Sequence, residues 1–197
     1  GSCRSLTRIT IPHSVTSIGE RAFWSCTSLT TIEVGAENMN YTEVNGVLFN
    51  KEKTLLHTYP VGKTGANYVI PDSVNSIGDY AFFECSKLTS IEIPSGVTSI
   101  GGSAFLGCSS LTSITIPDSI TSIGESAFRS CSSLTSITIP DGVTSIGHAA
   151  FAACESMNAV TFLGDAPKVK NDDTFKYSSS IIYRKPEAKG WGDTFTG

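Results

Sequence analysis

A 23-residue period runs through this chain and constrains its fold more than any other feature. Leu111-Thr112-Ser113-Ile114-Thr115-Ile116-Pro117 returns as Leu134-Thr135-Ser136-Ile137-Thr138-Ile139-Pro140, and Leu88 and Leu111, like Leu6 and Leu29, lie one period apart. Self-similarity at such a spacing is the signature of a solenoid, whose units bury their apolar faces only against their neighbours. One unit is too small to enclose a substrate, whereas a stack presents a long ordered surface. The repeat therefore points to a binding surface and leaves the ligand open.

Aligned copies give each column a physical role. Leu-x-x-Ile-x-Ile alternates with period 2, as a short half-buried strand does. Ile114 and Ile116 are predicted to face inward and Ser113 and Thr115 outward. Pro117 ends the strand because it has no amide to donate. A turn at Asp141-Gly142 brings Val143 and Ile146 back to the core, and Gly147 is expected to adopt a backbone angle closed to other residues. Ala150-Phe151 then send a small and a large apolar group inward from a helical or 3₁₀ turn. Phe23, Phe82, Phe105, Phe128 and Phe151 share a column and are expected to stack as a continuous spine. Each is worth about 1.5–3 kcal/mol relative to exposure.

A further column reads Cys3, Cys26, Gly62, Cys85, Cys108, Cys131 and Cys154. Five of the six intervals are 23 residues, but Cys26 to Gly62 is 36, which is 13 longer. The extra residues lie within 35–65, where Val47-Leu48-Phe49 and Leu55-Leu56-His57 flank Asn50-Lys51-Glu52-Lys53. That pattern predicts a β-hairpin protruding from the stack. Tyr68-Val69-Ile70-Pro71 re-enters the repeat, which stops after Phe162 at the turn Gly164-Asp165-Ala166-Pro167. Residues 1–162 thus read as about seven coils, with an extended hairpin-bearing coil at 26–61. Residues 163–197 read as a C-terminal capping segment, with Ile181-Ile182-Tyr183 as a last strand and Trp191 and Phe195 as bulky cover. Cys3 is already in column, so further coils are expected upstream of residue 1.

Composition narrows the function classes. A net charge of −4 with no basic patch argues against nucleic acid as a partner. No apolar run reaches the length of a membrane span, so no membrane insertion by this segment is expected; that residues 1–197 hold no signal peptide carries little weight where coils are expected upstream. Each Cys stands three before the repeat Leu, and Gly62 takes that place once, as a metal ligand would not allow. Parallel stacking brings neighbouring Cα atoms to about 5 Å but leaves their Cβ vectors parallel, so buried thiols are expected in place of disulfides. His13, His57 and His148 fall in unrelated places, and no phosphate loop, His-Glu-x-x-His or Cys-x-x-Cys occurs. The chain does not read as an enzyme, and no catalytic residue, cofactor or metal is expected.

Leu-x-x-Ile-x-Ile-Pro followed by Val-x-x-Ile-Gly-x-x-Ala-Phe-x-x-Cys resembles the BspA-type leucine-rich repeat of bacterial surface proteins. Ile-Pro-Asp-Ser-Ile-Thr-Ser-Ile-Gly-Glu-Ser-Ala-Phe at 116–128 carries the likeness, as do residues 40–51, 59–63 and Lys189-Gly190-Trp191. The resemblance implies a right-handed leucine-rich-repeat solenoid, mainly β with short helical or 3₁₀ turns and a parallel sheet on one face. It implies a chain exported to the cell surface or the medium and used in adhesion to host matrix proteins or in cell–cell contact. The family has no catalytic motif, and its binding residues vary by member, so none carries over by alignment.

Three regions are candidate partner-binding sites. The first is the strand face, with one outward column of Arg8, Thr31, Asn67, Ser90, Ser113, Ser136 and Ala159 and another of Thr10, Glu33, Val69, Glu92, Thr115, Thr138 and Thr161. Parallel strands would set these about 5 Å apart as a hydroxyl-rich lattice. It reads either as a ligand face or as a solvated polar surface. The second is the column after the spine, where Phe83 and Leu106 would form an apolar patch if exposed on adjacent coils. Packing against neighbouring turns is the alternative, and Trp24, separated from Phe83 by the long coil, need not touch it. The third is the hairpin, where Tyr41, Phe49, His57 and Tyr59 concentrate aromatics that either meet a partner or, for Phe49 and Tyr59, merely pack the hairpin onto the stack. The leading reading is a surface or secreted module for a protein partner. A structural spacer, or glycan recognition through Trp24, Tyr41 or Tyr59, stands beside it, and no motif names the partner or an oligomeric state.

Overall fold

The computed structural model describes residues 3–169 and 173–192. It opens with β1 (Arg8–Ile11) and β2 (Thr31–Val34), followed by β3 (Tyr41–Val44), β4 (Val47–Asn50) and β5 (Leu55–Thr58). Each later coil then contributes two short strands. These are β6 (Asn67–Val69) and β7 (Ser76–Ile77), β8 (Ser90–Glu92) and β9 (Ser99–Ile100), and β10 (Ser113–Ile114) and β11 (Ser122–Ile123). After them come β12 (Ser136–Ile139) and β13 (Ser145–Ile146), β14 (Ala159–Phe162) and β15 (Lys168–Val169), and finally β16 (Ile181–Arg184). Among the described residues there is no helix.

The coils stack into a solenoid with two strand walls and a third side made of turns. The first wall holds the expected Leu-x-x-Ile-x-Ile strands, paired in parallel as β1-β2, β6-β8-β10 and β12-β14-β16. Its alternation is as read from the sequence, with Ile137 and Ile139 buried and Ser136 and Thr138 exposed. β1, β6, β8, β10 and β12 each run into a proline whose carbonyl accepts the amide three residues on, as in Ile120 to Pro117 at 3.0 Å. The second wall was not foreseen as a sheet. Ser-Ile pairs one turn later, as in β7, β9, β11 and β13, form a parallel ladder that β5 continues on one side and β15 on the other.

The third side has its own periodic hydrogen bonds. Tyr80, Phe82 and Glu84 donate their amides to the carbonyls of Gly102, Ala104 and Leu106 at 2.9, 2.7 and 2.8 Å. Ser103, Phe105 and Gly107 repeat this onto Glu125, Ala127 and Arg129 one coil later. Intervening amides close i→i+3 turns, such as Phe83 to Tyr80 and Cys85 to Phe82. Left-handed residues at Tyr80, Glu84, Ser103, Gly107, Ser126 and Ser130 aim alternate amides at the neighbouring coil.

Phe82, Phe105, Phe128 and Phe151 stack with centroids 5.0, 5.0 and 5.3 Å apart and planes within 10° of parallel. Phe175 extends the stack at 5.4 Å, one rung beyond the last phenylalanine identified in the column. The spine is not continuous to Phe23, because Tyr59 takes the next place at 5.3 Å from Phe82. Phe23 instead packs with the separate cluster of the first coils, around Leu29 and Ile32. Beyond Phe162 the coil geometry persists: β15 and β16 each add a parallel strand to a wall.

Five cysteines are buried, Cys3 is exposed, and no disulfide forms among the described residues. The Sγ atoms of Cys108, Cys131 and Cys154 each donate to a carbonyl 26 residues earlier, Phe82, Phe105 and Phe128, at 3.1–3.2 Å. In these coils the column holds a small buried donor. Gly62 replaces it where a Cβ would lie 2.5 Å from the Ser28 carbonyl carbon. Burial pushes the Cys85, Cys108 and Cys131 thiols well above the usual range and Cys154 up to about 12.

Gly147 corrects an expectation. Its backbone is not left-handed; glycine is needed because a Cβ would stand 2.3 Å from the Glu125 nitrogen of the preceding coil. Gly147→Ala should therefore lower stability by about 3 kcal/mol. Ser130→Gly, at φ 61 in the column that Gly107 occupies, should raise it by about 0.5–1 kcal/mol. Urea denaturation reads both signs. The thiols predict a pH dependence. In the unfolded chain they ionise near pH 8.5, whereas in the folded chain they stay protonated. Stability should be full below that pH and fall as pH rises above it, with Cys108→Ala reducing the fall; a urea midpoint equal at pH 7 and pH 10 would contradict this.

Candidate functional site

The strand wall presents the expected polar rows, though not as one lattice. Arg8 pairs with Thr31 and Thr10 with Glu33; Asn67, Ser90 and Ser113 share a second block, and Ser136 and Thr138 belong to a third. Between the first and second blocks the chain inserts Asn45-Gly46, and the Ile32 amide donates to Gly46. Arg8 and Glu33 neutralise each other at 2.5 Å, with Thr10 Oγ1 donating to the same carboxylate. Glu92, Ser113, Thr115, Ser136 and Thr138 are exposed, whereas Thr31, Glu33 and Ser90 are half-buried.

The third block carries two residues that the reading of this face left out. Register extends Ser136 and Ala159 to Ile181, and Thr138 and Thr161 to Tyr183. Ile181 is 60% exposed and Tyr183 51%. The signal was available: Ile181-Ile182-Tyr183 reads as a strand, and its outward residues fall in these columns once it pairs in parallel with β14.

The insert does not protrude. β3, β4 and β5 form an antiparallel meander whose last strand pairs with β7, so the insert lies within the second wall. Val47, Leu48, Phe49 and Leu56 are fully buried. Tyr41 and Tyr59, candidate partner contacts, serve the interior. Tyr59 is only 4% exposed, its ring against Phe82 and Tyr68, and burial followed by the nearby Cys85 thiol pushes its hydroxyl up to about 12. The Tyr41 hydroxyl accepts the Ile18 amide at 2.9 Å, with its ring edge-on to His57. Buried Asn38, which no motif marked, ties the insert to the first coil. Its Nδ2 donates to the Pro12 and Val15 carbonyls, and its Oδ1 accepts the Asn40 and Tyr41 amides.

The insert leaves a cleft on the third side. Leu56 pairs with Ile77 and Tyr59 stacks on Phe82, so three residues cover a path for which the next coil uses five. The shortcut opens a cleft of about 210 Å³ between the turns at 19–25 and 78–84. Across it Trp24 and Phe83, not expected to meet, stand with centroids 4.8 Å apart. Phe83 and Leu106 are both half-buried, and Phe83 turns toward Trp24 and Tyr80. The Arg21 guanidinium lies 4.7 Å from the Trp24 ring centre and 4.5 Å from that of Tyr80, and donates to the Tyr80 hydroxyl. His57 lines the interior side, where burial holds its pKa below the ordinary imidazole value. Among the described residues no group of three His, Cys, Asp or Glu side chains is placed to hold a metal ion.

The family model of the BspA type Leucine rich repeat region matches residues 1–59 and 63–182, in 6 copies. A leucine rich cell surface protein from Faecalibacterium prausnitzii is similar over 92% of this chain and 48% of its own, with TM-score 0.84 and 34% identity. A leucine-rich repeat protein from Eubacterium ventriosum is similar over 94% of this chain and 62% of its own, with TM-score 0.70 and 30% identity. The pneumococcal vaccine antigen PcpA is similar over 92% of this chain and 51% of its own, with TM-score 0.72 and 25% identity. The chain thus spans about half to three-fifths of the length of these structures. No match to it is found among curated proteins.

Asn38→Ala should strand two carbonyls and two amides in a buried place and lower stability by about 3 kcal/mol. Urea denaturation followed by tryptophan fluorescence measures this; a loss under about 1 kcal/mol would mean water replaces the amide.

Proposed function

The chain belongs to the BspA-type leucine-rich repeat family, and from that premise we propose that it is a non-catalytic binding module for a protein partner. Exported to the cell surface or the medium, it serves adhesion to host or neighbouring-cell proteins. One of the structures it resembles is a cell surface protein, which supports that location.

The observation that carries the reading is the C-terminal block of the strand wall. There Ser136 and Thr138 lead, rung by rung, to exposed Ile181 and Tyr183. Serine and threonine rows alone contribute little binding energy, whereas tyrosine is enriched among the residues that dominate interfaces. A flat polar wall with an aromatic and an aliphatic anchor at one end suits a protein surface. Ser113, Thr115, Ser136 and Thr138 supply hydrogen bonds around those anchors. At the other end Arg8 and Glu33 are already paired, which leaves less for a partner to gain.

Surface plasmon resonance against a panel of extracellular-matrix and host-surface glycoproteins tests this. A saturable partner should bind at least tenfold more weakly to Tyr183→Ala and to Thr138→Arg, both folded by circular dichroism. Unchanged affinity in both variants removes the strand wall as the contact, and silence across the panel favours the spacer role.

A further inference from the structure

The third side of the solenoid shows what the cleft lacks. In regular coils the first, third and fifth amides of each turn donate to the next coil, as Tyr80, Phe82 and Glu84 do. The turn above the cleft is built the same way. Arg21 and Ser25 are left-handed at φ 59 and 60, and the Trp24 and Cys26 amides close the same internal turns onto Arg21 and Phe23. Yet the outward amides of Arg21, Phe23 and Ser25 have no acceptor among the described residues, because the shortened coil beneath them is recessed. On the opposite lip, among the described residues, the Asp79 and Phe83 carbonyls lack the coil-to-coil amides that their counterparts Gly102 and Leu106 receive. Only the middle position is filled, by the Tyr59 amide donating to Ala81 at 2.7 Å.

A row of amides facing a row of carbonyls is what a sheet offers to an added strand. Extended backbone that passes outside the Tyr59 amide can serve the open positions of both rows, its carbonyls toward Arg21, Phe23 and Ser25 and its amides toward Asp79 and Phe83. Trp24, 42% exposed, and Phe83 supply an apolar contact for one side chain. Glu20 and Glu84 are exposed at the rim, while Arg21 is held over aromatic rings and the Asp79 carboxylate accepts the Gly102 amide. The charge left for a ligand is negative. We propose that this cleft binds an extended, basic peptide segment of a protein partner by adding it as a strand between the turns at 19–25 and 78–84. The inference rests on the protein-binding reading but places this contact on the turn side, away from the strand wall.

The test titrates the ¹⁵N-labelled chain with the capped peptide Ac-Val-Lys-Val-Lys-Val-Thr-NH2. Alongside run a version with Glu for Lys and a version N-methylated at alternate amides. Saturable shifts at the Arg21, Phe23 and Ser25 amides are expected, with binding at least tenfold weaker for either altered peptide. Trp24→Ala and Glu84→Lys should each weaken the lysine peptide at least tenfold, while Tyr183→Ala and Thr138→Arg leave it unchanged. The N-methylated arm needs no protein variant, so a misfolded Trp24→Ala would not shield the proposal. Absent shifts, shifts confined to the strand wall, equal binding of the N-methylated peptide, or the same shifts from cellohexaose but not from the peptide would each overturn it. The two readings fail separately. A protein partner held equally well by Trp24→Ala and Glu84→Lys removes the cleft and keeps the binding module. Peptide binding by a chain that takes no protein partner keeps the cleft's chemistry and removes the wall's.

Discussion

Hydrogen bonding between neighbouring coils, which the regular coils make on all three sides, is the constraint on which the rest of this structure depends. Both strand walls and the turn side must advance by one rung, about 4.8 Å, per circuit. A coil of constant length meets all three demands at once, which is why the period is so strict. The parallel phenylalanine rings, the thiol-to-carbonyl bonds and the glycine whose missing Cβ lets two coils touch all follow from that fixed rise. In the regular coils left-handed turn residues are tolerated because they aim amides that the next coil accepts.

Much of the fold was legible because each column repeats its physics. The alternation in Leu-x-x-Ile-x-Ile, the stop at proline and the buried cysteines could be read one coil at a time. What escaped was what two residues per coil cannot announce. Ser122-Ile123 is too short to show a period of its own, and only neighbours at the same height turn it into a wall. Gly147 was correctly marked as special, but its reason is proximity to Glu125 and not its own backbone angle, a distance that no single sequence carries.

The sites were less legible, because exposure is decided between coils. Tyr41 and Tyr59 looked available in an insert expected to stand clear. Once β5 pairs with β7 the insert becomes wall, and its aromatics turn inward. Trp24 and Phe83 looked remote because the chain between them is long. That chain takes a shorter path through the turn side, and the two rings meet at the edge of the gap. Tyr183 needed only the register of one further strand to join the surface.

The shortened coil has a consequence for recognition at large. A surface built of identical rungs has translational symmetry, so a partner reading its serine and threonine rows can slide by one coil and meet nearly the same groups. Such a ruler has graduations but no zero. The two residues missing between Leu56 and Tyr59 break that symmetry once and give every other rung a distance from a fixed origin. Adding or deleting a 23-residue unit beyond Cys85 would lengthen or shorten the ruler while leaving that mark in place.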